Sequence, residues 1–156
     1  MAIHKGSNTI EKLYVGKNQI GKVYKGSTLI YQAESDEETL SVTVNQGGNH
    51  LNYNTVLYTL AEDYDNVIFT SRTFGTSFGE FVHRVSVITD GKATTVCERT
   101  GAYTGSGYAW GGTDLTLNNA YPVKKGSQIE LRIGASYNPN VSTPLTTGSS
   151  IKFYFT

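Results

Sequence analysis

The chain has 156 residues, room for one ordinary domain and an appendage but not for two full enzyme domains. Its 13 basic and 13 acidic residues balance, which argues against a nucleic-acid binder working through bulk positive charge. The single cysteine, Cys97, allows no intrachain disulfide and no cysteine-built zinc site, and no apolar run approaches the ~18 residues of a membrane-spanning helix.

The opening stretch MAIHKGSNTIEK has no apolar h-region, so no classical secretion signal and cytoplasmic synthesis are expected. The neutral balance is an average of unlike parts. Residues 1–32 hold five lysines and one glutamate, a balance of +4, and the remainder carries −4. The basic part is a repeat that, written in tens, reads IHKGSNTIEK, LYVGKNQIGK, VYKGSTLIYQ. Each unit opens on an aliphatic residue (Ile3, Leu13, Val23) and a ring (His4, Tyr14, Tyr24). Gly6, Gly16 and Gly26 hold the fourth place, and Ile10, Ile20 and Ile30 the eighth.

Ten residues suit one strand and one turn, so residues 1–34 are expected to form a β-meander. With three-residue loops, Tyr14 would lie opposite Ile20 and Ile10 opposite Tyr24, an aromatic–aliphatic ladder. The same register sets Lys12 opposite Lys22, favourable only with solvent or an anionic partner above them. So small a unit buries no stable core alone, and its apolar side chains fall on both faces. Docking or oligomerisation is therefore expected of Ile10, Lys12, Leu13, Tyr14, Ile20, Lys22, Val23, Tyr24 and Ile30. The plainer alternative is a two-layer extension of a monomeric domain.

These repeats, of the form aliphatic-Tyr-x-Gly-x-x-x-Ile-x-Lys and ending in VYKGSTLIYQ, resemble those that open many tailed-bacteriophage virion proteins, including head-fibre and tail-fibre components. The resemblance covers residues 1–32, about a fifth of the chain. It implies a particle-associated structural protein in the virion that meets other virion proteins through this end. It also implies a homo-oligomer, a trimer before a dimer. Ile3 and His4 follow the pattern loosely, and Tyr31 departs from it at the ninth place.

An acidic run, AESDEET at 33–39, reads as a solvated linker, placed at 35–39. From residue 40 to 156 the segments LSVTVN, TVLYTLA, NVIFTSRTF, EFVHRVSVIT, KATTVCERT, TDLTLNN, SQIELRIGAS and SIKFYFT read as eight strands separated by turn residues. Asp90-Gly91 is the clearest hairpin, of type I′. This pattern predicts an all-β antiparallel sandwich, jelly-roll-like or Ig-like, in which Ile151, Phe153 and Phe155 share one face.

Catalytic chemistry is thinly signalled, and no enzyme is expected. The three histidines have no zinc-binding spacing. A two-residue Asp90-Gly91 loop would set His83 opposite Glu98, an acid/base pair or an ordinary polar pair, and Cys97 opposite Arg84, an activated thiol or a buried one. Glu62, Asp63 and Asp65 offer hard-cation ligands for calcium, with Asp114 a further donor, or else form an acidic turn. No other cofactor is indicated. The segment GAYTGSGYAWGGTD presents Tyr103, Tyr108 and Trp110 on a glycine-rich loop, and Tyr137 lies on a second long loop. Such rings suit a glycan or a protein partner; the alternative is a core tryptophan. Two functions thus compete: a virion fibre or decoration protein displaying its sandwich outward, and a free glycan-binding or glycan-cleaving module.

Overall fold

A computed structural model describes residues 4–5, 8–9, 13–15, 18–20, 22–25, 27–32, 35–45, 51–75, 80–103, 108–136 and 146–156. Side chains are described from residue 22 onward within these ranges, except at 29–32, 103 and 108.

The repeat closes on itself decapeptide by decapeptide. Strands β1 (His4–Lys5) and β2 (Asn8–Thr9) pair, as do β3 (Leu13–Val15) with β4 (Asn18–Ile20) and β5 (Lys22–Lys25) with β6 (Thr28–Gln32). Each hairpin leaves two residues between its strands: Gly6-Ser7, Gly16-Lys17 and Gly26-Ser27. The three-residue-loop register is therefore corrected. Leu13, not Tyr14, lies opposite Ile20, Tyr24 lies opposite Leu29, and Lys22 lies opposite Gln32. Ile10 and Lys12 lie outside the described residues.

The rest of the chain is an antiparallel β-sandwich. Its strands are β7 (Glu38–Asn45), β8 (Asn52–Thr59), β9 (Asn66–Phe74), β10 (Phe81–Thr89), β11 (Lys92–Tyr103), β12 (Tyr108–Thr113), β13 (Ala120–Pro122), β14 (Gln128–Ala135) and β15 (Thr146–Phe155). One sheet runs β13-β9-β15-β7 and the other β12-β11-β10-β14-β8. With β12 set aside, chain order and sheet order together give two interlocked Greek keys, the jelly-roll arrangement rather than the Ig-like one. β12 is a fifth strand added at the edge of one sheet.

Alternation explains why these segments pair this way. On β7, Leu40, Val42 and Val44 face inward, and on β15 Ile151, Phe153 and Phe155 do so with Thr147 and Ser149. Val67 and Phe69 on β9 complete that face. The opposite face brings Val85 and Val87 from β10, Cys97 from β11, and Ile129, Leu131, Ile133 and Ala135 from β14. Of the acidic run, Glu38 and Thr39 already belong to β7. Ser35 is fastened to β15, its N–H donating to the Phe155 carbonyl at 2.9 Å and its Oγ accepting from Phe155 N–H at 2.8 Å.

The Asp90-Gly91 turn is present, with φ of 54° and 74°, as type I′ requires. The pairing beyond it slips by one residue between Val85 and Ser86, where Val96 bulges from β11. His83 consequently lies opposite Arg99, Arg84 opposite Glu98 and Cys97 opposite Val85. Both cross-strand pairs inferred from an unbroken ladder are overturned by this bulge.

TDLTLNN is not a strand. Asp114 Oδ1 accepts from Leu115 N–H at 2.8 Å, Asn118 turns at φ 60°, and its N–H reaches the Phe69 carbonyl at 2.8 Å. Leu115 is buried while Leu117 stays exposed, so the alternation that suggested a strand is a connection plugging the end of the core. The ends of the glycine-rich loop are ordered instead as β11 and β12, with Gly112 at φ 89°. A Cβ at Gly112 would lie 1.8 Å from the Glu98 carbonyl oxygen, so only glycine fits there.

Candidate functional site

Because the sheets differ in width, the inner face of β12 overhangs the sandwich, and Trp110 stands there 50% exposed. It lies opposite Gly101, which in turn lies opposite Phe81. From Trp110 a continuous series of contacts runs inward and returns. The Trp110 and Phe81 ring centroids are 4.9 Å apart, Phe81 and His83 5.2 Å, and His83 stacks on Phe74 at 4.8 Å with an 11° interplanar angle. The Arg72 guanidinium covers Phe74 at 5.5 Å and pairs with Asp114. Asp114 also faces Arg99 at 3.6 Å, and Arg99 covers Trp110 at 4.8 Å. A depression of about 380 Å³ opens beside Trp110, lined in part by Leu51, Glu80, Phe81 and Thr100.

A Cβ on Gly101 would come within 2.0 Å of the buried Phe81 ring. Gly101→Ala is accordingly expected to cost about 1–3 kcal/mol by overpacking and to shift the emission of Trp110, the chain's single tryptophan. Unchanged emission and stability would show that Phe81 does not fix the Trp110 platform.

His83 is 1% exposed. Its Nδ1 lies 2.8 Å from Ser149 Oγ, a hydrogen bond that joins the two sheets, and Nε2 is buried without a well-formed bond. Burial pushes its pKa down to about 4, with the Gly75 backbone opposing and the Arg99 charge adding. The ring is thus a neutral inter-sheet spacer on the opposite face of the sheet from Glu98, which lies across from Arg84 and whose Oε2 accepts from Arg84 Nε at 2.7 Å. Cys97 is fully buried and its thiol is pushed up to about 11, chiefly by burial, which keeps it in the unreactive form.

The calcium expectation finds no assembled site. Among the described residues no group of three or more His, Cys, Asp or Glu is placed to hold a metal. Glu62, Asp63 and Asp65 are instead spread along a turn tied by its backbone. Asp65 N–H donates to the Thr156 carbonyl at 2.8 Å, and the Asp65 carbonyl accepts from Val123 N–H at 2.9 Å. Asp63 Oδ1 accepts from Lys125 N–H at 3.3 Å. Asp114 is taken by its two arginines.

The same turn receives the repeat. Lys22 Nζ donates to the Asp63 carbonyl and lies 5.9 Å from the Tyr64 ring centre, and Tyr64 stacks on Phe155. Val23 is half-buried, while Tyr24 is 53% exposed. The backbones of Leu13, Tyr14, Ile20 and Ile30 lie in the repeat hairpins; their side chains are outside the described residues. Tyr103 and Tyr108 face each other across the β11–β12 pair, again without described side chains, and Tyr137 lies outside the described residues. Of the four rings singled out in sequence, the structure therefore places Trp110. Sequence reasoning missed its partners Phe81, Phe74, Arg72 and Arg99. The shared parity of Phe81 with His83 and of Arg99 with Gly101 was the available signal, its cross-strand match hidden by the Val96 bulge, whereas Phe74 and Arg72 lie on β9 in the other sheet and left none.

The fold and site define a jelly-roll β-sandwich carrying a hairpin repeat. No protein-family model matches the chain, and no curated protein matches it. Among solved structures it is similar to a chain in the structure of infectious bursal disease virus, Gx strain, at 12% identity and a TM-score of 0.36. That alignment covers 85% of this chain and 37% of the viral one.

Proposed function

We propose that this is a non-enzymatic structural protein of a bacteriophage virion, a fibre or decoration protein whose residues 1–34 dock and oligomerise while the sandwich is displayed outward. One observation carries the reading. The sandwich closes its core between its own two sheets, whereas among the described residues the repeat pairs as two-stranded hairpins. Isolated two-stranded hairpins are marginal in water, so the repeat needs a partner surface, supplied in part by Asp63 and Tyr64 and otherwise by another copy or a particle protein. The resemblance of the repeats to those of phage virion proteins supports a virion location and a trimer. A neutral buried His83, a suppressed Cys97 thiol and an ion-paired Glu98 support the non-enzymatic reading.

Size-exclusion chromatography with light scattering tests it. The full chain is expected to be an oligomer at micromolar concentration, and deletion of residues 1–32 is expected to yield a folded monomer that no longer joins particles. A monomeric full chain would sink the reading. The second reading, a free glycan-binding module, draws on the half-exposed Trp110. It predicts glycan-array binding that survives the deletion and is lost in Trp110→Ala.

A further inference from the structure

The outer face of the five-stranded sheet carries a feature the reading above does not use. Of the four arginines in the chain, Arg72, Arg84 and Arg99 each hold a carboxylate. Arg132 holds none among the described residues. Arg132 lies directly opposite Arg84 across the β10–β14 pair, and like charges so placed are destabilising. Glu98 neutralises Arg84. Glu130, on the same face of β14, accepts from Ser86 Oγ at 3.3 Å and makes no ion pair with Arg132. The Arg132 Nε is buried and has no hydrogen-bond acceptor.

The guanidinium is held in place all the same. Its carbon lies 4.0 Å from the centre of the Tyr53 ring. Tyr53 lies opposite Gly134, where a Cβ would come within 2.6 Å of the ring. Glycine at 134 thus lets the ring lie down over the sheet and stack on Arg132, while Tyr53 remains 48% exposed. A positioned guanidinium with no carboxylate partner among the described residues presents the forked donor geometry that matches a carboxylate. The exposed aromatic surface beside it suits the flat face of a sugar ring.

We propose that Arg132 and Tyr53 form a binding site for the carboxylate of an acidic saccharide, with Arg132 bonding the carboxylate and Tyr53 stacking on the ring. A sugar is favoured over an acidic peptide because the surface offers one exposed ring and one unpaired cation on an open sheet face. The site goes beyond the docking role of the repeat and stands whether or not the chain oligomerises.

Titrating the full-length protein with glucuronate while following the arginine Nε–Hε resonances by NMR tests the proposal. The Arg132 signal is expected to shift saturably with glucuronate and not with glucose. Arg132→Gln is expected to weaken binding at least tenfold and Tyr53→Ala several-fold, with melting temperatures confirming that both fold. Arg132→Lys, which keeps the charge but not the fork, serves if the glutamine variant does not fold, and is also expected to bind more weakly. No saturable shift overturns the site. Equal shifts with acetate or triglutamate overturn the saccharide, leaving a carboxylate site of the kind an acidic protein segment would use.

Discussion

Lowering the pH from 7 to below 4 is expected to remove about 3 kcal/mol of stability through His83 alone. The folded ring titrates at about 4 and the unfolded one near 6.5, because burial among Phe74, Phe81 and the inner strands penalises the imidazolium. The neutral form is the one the fold favours, so the full contribution is present above pH 6.5. As the pH falls, the unfolded chain takes up its proton first. Stability then declines by about 1.4 kcal/mol per pH unit and levels off once the folded ring also protonates. For a domain of this size the loss corresponds to a fall of roughly 6–12 °C in melting temperature.

Urea unfolding followed by Trp110 emission at stepwise pH measures the effect. His83→Gln is expected to flatten the dependence between pH 6.5 and 4. A wild-type stability constant across that window would refute the assignment. Glu37 acts lower on the scale: bonds from Thr70 and Lys152 hold its carboxyl below the usual value of 4.5, so its contribution fades only beneath that.

Phe153→Ala carries the other large effect, a loss of about 3–5 kcal/mol. The ring is fully buried on β15, the strand between β9 and β7. It meets Tyr58 edge-on at 5.4 Å across the sandwich, and Phe69 and Phe155 at 5.9 and 5.6 Å within its own sheet. Truncation removes the ring that both sheets pack against, and neighbours anchored on three strands relax little into the space. Leu57→Ala, at a site 49% exposed, is expected to stay within ~0.5 kcal/mol. Chemical denaturation of the two variants checks the contrast, and a loss below ~1 kcal/mol at Phe153 would mean the core refills.

These effects rest on alternation that was legible in the sequence. Ile151, Phe153 and Phe155 read directly as one face, NVIFTSRTF is a strand over its whole length, and Asp90-Gly91 gave both the hairpin and its turn type. What failed was register. Val96 bulges within a run of β-branched residues that pairs equally well one position either way, so nothing in Thr94, Thr95 or Val96 announces the slip. The repeat failed for a related reason. Counting Gly16-Lys17-Asn18 as the loop adds a residue, since Asn18 pairs with Val15, and because side chains alternate, one residue exchanges every facing pair.

The TDLTLNN segment shows a different limit. Its leucines alternate as a strand's would, but Asp114 is drawn to Arg72 and Arg99 from other strands, and long-range ion pairs leave no local trace. The candidate site was legible only at its exposed end, Trp110. The ring series behind it depends on three strands meeting at a common face, which exists only once the sheets are stacked.

The fastening of Ser35 to Phe155 has a mechanical consequence. Force transmitted through the repeat enters the sandwich at this point, beside the end of β15 and at the start of β7. β7 is held to β15 by eight facing pairs, from Glu38–Phe153 to Asn45–Thr146. A pull directed along β7 loads those pairs together in shear, so they must yield collectively. A pull across the sheet would open them one at a time, beginning at Glu38. A chain pulled lengthwise along β7 is therefore gripped more firmly than one pulled across the sheet.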